Sequence, residues 1–81
     1  PGMQNELGQK FPEGVTEESF EINDSNGLLK AYVVRRVVVA DGVGRVYERT
    51  QTRYGHTSYT RNGQPISEYQ WSDETSGLTR N

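Results

Sequence analysis

The sequence predicts an all-β protein: a single antiparallel β-meander of four to five strands, folded as a twisted open sheet or a small, partly closed barrel. Three observations carry this expectation. Apolar residues recur with the two-residue period of a strand, as in Ser19-Phe20-Glu21-Ile22. Valine and tyrosine crowd the longest apolar stretch, where branching at Cβ restricts χ1 and favours a pleated backbone over a helix. Asp-Gly and Asn-Gly pairs punctuate the chain, and those residues accept the left-handed backbone of tight hairpin turns.

Residues 1–15 read as a flexible leader, because Gly2, Gly8, Pro12 and Gly14 interrupt scattered charges that show no period. Pro1-Gly2 ahead of Met3 reads as a cloning remnant, and Phe11 is the one large side chain there able to fold back on a sheet edge. The first strand is expected over about 16–23. Asp24-Ser25-Asn26-Gly27 reverses the chain into a second strand over 28–40. Val33, Val34, Val37, Val38 and Val39 fall on both faces of that strand, so neither face can be wholly solvated and the strand belongs at the centre.

Asp41-Gly42 then predicts a two-residue turn into a third strand over 45–54. That turn opposes Val37 to Val46, Arg35 to Glu48, Val33 to Thr50 and Arg36 to Tyr47. A shifted register opposes Arg36 to Arg49, and facing like charges destabilise a sheet. Gly55-His56 fits either a turn or a bend within one longer strand. A fourth strand over 57–61 leads through Asn62-Gly63 to a last one over 65–71, placed at an edge because Pro65 has no N–H to donate. The turn opposes Tyr59 to Ile66, and the same count sets Tyr54 against Trp71. Residues 72–81 are polar and rich in breakers, with Leu78 their only sizeable apolar group, and read as a flexible tail. The single domain thus spans 16–71, and no segment is expected to be helical.

Composition narrows the function. The chain has 81 residues, 31% apolar and 25% charged, so its core must be thin. It has no cysteine for a disulfide, and its one histidine leaves no ligand set for a structural zinc. Stability must come from packing or self-association. A net charge of -2 supplies no broad positive field for a polyanion. The run from Ala31 to Ala40 is broken by Arg35 and Arg36 and falls short of the roughly 20 residues that span a bilayer, so no membrane insertion is expected. The compartment stays open.

No catalytic, metal or cofactor constellation is apparent, and the expectation is that the protein is not an enzyme. His56 stands in a turn-like stretch, adjacent Glu17 and Glu18 point to opposite faces of a strand, no serine sits in a Gly-x-Ser-x-Gly elbow, and Gly42-Val43-Gly44 lacks a following helix. The unusual feature is a face carrying Tyr32, Arg36, Arg45, Tyr47, Arg49 and Arg53, which are the candidate ligand-binding residues. The same pattern also fits arginine stems covering tyrosine and valine, with Glu48, Glu21 and Glu68 as charge partners. Tyr54, Tyr59, Tyr69 and Trp71 form a second concentration, read chiefly as core closure. The leading expectation is a non-catalytic binding or structural β module, self-associating or part of a larger surface or envelope protein, with another protein or a second copy as its partner. The alternative is a binder of single-stranded nucleic acid or another anionic polymer on the Arg/Tyr face.

Overall fold

A computed structural model describes residues 6–76. Five strands, β1 (Gly14–Asn23), β2 (Leu29–Ala40), β3 (Val43–Thr52), β4 (Thr57–Arg61) and β5 (Gln64–Pro65), form one open antiparallel sheet in sequence order. A short helix α1 (Glu6–Lys10) precedes the sheet and a second, α2 (Glu68–Glu74), follows it. The all-β meander is therefore as expected, and the sheet stays open.

Turn chemistry sets the registers. Asp41 and Gly42 both adopt positive φ, 55° and 80°, as do Asn62 and Gly63 at 50° and 84°; these are the paired left-handed positions of a two-residue hairpin. β2 and β3 consequently pair Val37 with Val46, Arg35 with Glu48, Val33 with Thr50 and Arg36 with Tyr47, the expected register. Gly55, at φ 90°, resolves its ambiguity as a turn: its N–H donates to Thr52 O at 3.0 Å and Thr52 N–H donates to His56 O at 2.8 Å.

Two expectations are corrected. The segment 65–71 is not a strand beyond Pro65: the chain leaves the ladder and enters α2, so the protein is not helix-free. The cause is local. Ser67 caps the helix by accepting from Gln70 N–H, while the Gln70 side chain accepts from Ser67 N–H, a reciprocal capping box. Ile66 and Trp71 occupy the flanking positions of a hydrophobic staple. Trp71 therefore does not oppose Tyr54, which is 77% exposed; it packs instead on Tyr59, with ring centroids 5.7 Å apart. At the other end, Glu6–Lys10 is helical and β1 starts at Gly14. Pro1-Gly2 and Leu78 lie outside the described residues.

The sheet has two unlike faces. One, the valine face, carries Phe20, Val33, Val37, Val39 and Val46, and α1 lies across its Asp41–Gly42 end, with Leu7 against Gly44 and Gly8 against the Gly42 backbone. The other, the Arg/Tyr face, carries Val34, Arg36, Tyr47, Arg49, Tyr59 and Arg61, and α2 covers its middle. The core is correspondingly split: Ala31, Val33, Val37 and Val39 are buried on the first face, Tyr47 and Trp71 on the second.

Candidate functional site

The Arg/Tyr face was the candidate ligand surface in the sequence, and α2 occupies its centre. Helical spacing turns Trp71, Glu74 and Thr75 onto the sheet together. Trp71 sits between Tyr59 and the Arg36 guanidinium, whose central carbon is 5.2 Å from the indole. Glu74 accepts from the Tyr47 hydroxyl at 2.7 Å and from Arg61 Nη1 at 2.9 Å. Thr75 Oγ1 accepts from Arg36 Nη1 at 2.7 Å and donates to Trp71 O at 2.7 Å. Burial, reinforced by its hydrogen bond to Glu74, pushes the Tyr47 phenol up to about 12. Conversely, the Tyr47 hydroxyl and the Arg61 guanidinium hold the Glu74 carboxyl below its ordinary range.

Where these contacts stop, a cleft of about 300 Å³ opens between α2 and the sheet, lined by Arg36, Arg49, Tyr59, Glu68, Trp71 and Ser72 among others. Arg36 is committed there, donating to Glu17 at 2.9 Å as well as to Thr75. Arg49 is not. It lies between Val34 of β2 and Tyr59 of β4, half-buried, and its side chain has no hydrogen bond or ion pair among the described residues. Its nitrogens still reach solvent, so the head group is free to take up a ligand, and its planar fork suits a carboxylate or phosphate.

The six candidate residues are thus dispersed. Arg36 and Arg49 line the cleft, Tyr47 is sealed beneath α2, and Arg45 and Tyr32 are exposed on the same face to either side. Arg53 leaves it: the third strand ends at Thr52, and Arg53 Nη1 bonds Asp24 at 3.2 Å beside the first turn. Ser72 and Glu68 were not among the candidates; the Ser67-x-x-Gln70 box was the signal that would have turned them toward the cleft.

A second cavity, about 420 Å³, lies between α1 and the valine face against Leu7, Phe11, Val37 and Val46. Its arginine is already spent: Arg35 pairs with Glu48 at 2.9 Å and Glu18 at 3.3 Å. Among the described residues no three His, Cys, Asp or Glu converge on a metal position, and His56 is exposed in its turn. No described helix is long and apolar enough to cross a membrane. Comparison with protein-family models, with curated proteins and with solved structures finds no match.

Proposed function

We propose that this chain is a non-catalytic binding module, and that the cleft between α2 and the sheet receives a small molecule bearing a carboxylate or phosphate. The observation that carries this is Arg49: a half-buried residue lining the cleft whose guanidinium has no partner among the described residues, while Arg35, Arg36, Arg53 and Arg61 all hold ion pairs. The cleft volume lies at the small end of ligand sites, which favours a compact ligand. Trp71 and Ser72 line the same cleft and offer it apolar and polar surface beside the cation. An extended polyanion is supported less, since it needs a continuous basic track and α2 interrupts this one.

Trp71 is the only tryptophan, so its fluorescence reports directly on the cleft. Titration with inorganic phosphate, acetate and glucuronate is expected to change that emission saturably for at least one of the three. Arg49→Gln abolishes the change, and Arg45→Gln, on the same strand but outside the cleft, preserves it. An unchanged response in Arg49→Gln overturns the assignment.

A further inference from the structure

We propose that the outer edge of β1 is a docking site for an extended segment of another protein that alternates basic and apolar residues and adds to the sheet as a sixth, antiparallel strand. The inference is independent of the cleft and deepens the module's partner rather than its small ligand. The two edges of the sheet are unlike. β5 is two residues long and contains Pro65, a blunted edge that offers little backbone to a neighbour. β1 runs for ten residues without proline, and no described strand pairs with its outer side.

The direction of its free groups follows from the ladder. Arg53 N–H donates to Lys30 O at 3.1 Å, so even-numbered residues of β2 face β3 and odd-numbered ones face β1. Through the pairs Phe20–Val33 and Glu18–Arg35, the even residues of β1 point inward. Val15, Glu17, Ser19 and Glu21 therefore present their N–H and C=O groups outward, with nothing described to receive them.

The side chains of β1 specify the occupant. Glu17, Ser19 and Glu21 share the Arg/Tyr face; Thr16, Phe20 and Ile22 share the valine face. Glu21 has no ion pair among the described residues, and Glu17, though bonded to Arg36, keeps 52% of its side chain exposed. Ile22 is 41% exposed and Phe20 only partly covered. An added strand with Lys or Arg opposite Glu17 and Glu21, and valine or isoleucine opposite Phe20 and Ile22, satisfies both rows at once. β2 already illustrates this pairing from the inner side, setting Arg36 opposite Glu17, Val33 opposite Phe20 and Ala31 opposite Ile22.

A second copy of β1 fits less well. Pairing about Ser19 opposes Glu17 to Glu21, and pairing about Glu18 opposes that carboxylate to itself. The register about Phe20 avoids these clashes yet leaves Glu21 without a cation and gives Glu17 none beyond Arg36. Charge complementarity therefore selects a basic partner and disfavours the protein's own edge.

The test uses two labelled nonapeptides, one alternating Lys with Val and one alternating Glu with Val, followed by fluorescence anisotropy at low salt. The basic peptide is expected to bind at least about tenfold more tightly than the acidic one, and to slow hydrogen exchange at Val15, Glu17, Ser19 and Glu21. Ser19→Pro removes one outward N–H without touching the ladder and abolishes binding, with circular dichroism verifying the sheet. Glu21→Lys, which leaves the backbone intact, narrows or reverses the preference. Absence of binding, equal affinity for both peptides, unaltered preference in Glu21→Lys, or dimerisation through β1 in sedimentation would each overturn the proposal.

Discussion

The two ends of the sheet solve the same burial problem differently. Toward the Asp41–Gly42 turn, α1 lies on one face and α2 on the other; toward the Asp24–Gly27 turn, no described helix packs on either. Among the described residues the exposed large apolar side chains of the sheet and its turns follow this division: Ile22, Leu28, Leu29, Tyr32 and Tyr54 belong to the bare end, and Tyr69 is on α2 itself. Ala31 and Val33 are nonetheless buried there, because small side chains on the central strand are sheltered by Ile22, Phe20, Thr50 and Thr52 across from them. The covered end instead buries Tyr47, whose hydroxyl needs an acceptor once it leaves water, and α2 supplies Glu74. On the Arg/Tyr face the cover goes with a large group that carries a polar tip, whereas Ala31 and Val33 on the other face stay buried with no described helix over them.

That contrast can be broken by mutation, beginning with the largest effect. Trp71→Ala removes the ring between Tyr59 and Arg36 and is expected to cost about 3–5 kcal/mol in urea unfolding. Tyr54→Ala and Leu28→Ala, at the bare end, should stay within about 0.5 kcal/mol. Equal losses at the two ends would dissolve the distinction.

Gly8→Ala sharpens it on the other face. A Cβ there would collide with the Gly42 carbonyl, a backbone group that cannot swing aside, so α1 must lift. The expected loss is about 1–3 kcal/mol, read as a lowered Tm. An unchanged Tm would mean that α1 contributes nothing to the covered end.

Titration isolates the contribution of α2. The Glu74 carboxyl is depressed in the folded state, so its stabilisation is present above its ordinary value of 4.5 and fades as pH falls through the lower folded value. Tyr47 behaves in the opposite sense: raised from 10.0 to about 12, it stabilises fully below pH 10.0 and loses that stabilisation as pH climbs toward 12. Glu74→Gln should flatten the acid limb of stability against pH, and Tyr47→Phe the alkaline limb. Persistence of both limbs in the variants would remove this network as the clamp on α2.

The smallest effect is a gradient rather than a loss. Inter-strand amides beneath the helices should exchange with solvent more slowly than those near Thr52 and Asn23, where opening uncovers little apolar surface. Uniform protection along β2 would show that the bare end is as stable as the covered one.

The first four strands, the two hairpin registers and the interior place of β2 were legible in the residues, because they depend on short-range rules: alternation of side chains, β-branching, and the positive φ that Asp-Gly and Asn-Gly tolerate. The Arg/Tyr face was legible for the same reason, since a register and a two-residue period suffice to place Arg36, Tyr47 and Arg49 together. The fate of that face was not. Tyr69 and Trp71 are near neighbours in sequence and aromatic alike, yet one is 79% exposed and the other 6%, because a helical turn and not a strand sets which side meets the sheet. Pairing of Glu74 with Tyr47 and Arg61, and the cleft that Arg49 lines, exist only once α2 is laid across β3 and β4. The sequence by itself determined how the sheet is threaded, since each hairpin is closed by residues a few positions apart. Only the tertiary structure decided that Arg61 meets Glu74 and that Tyr47 is sealed, since both depend on where α2 comes to rest on the sheet and no short-range rule places a helix there.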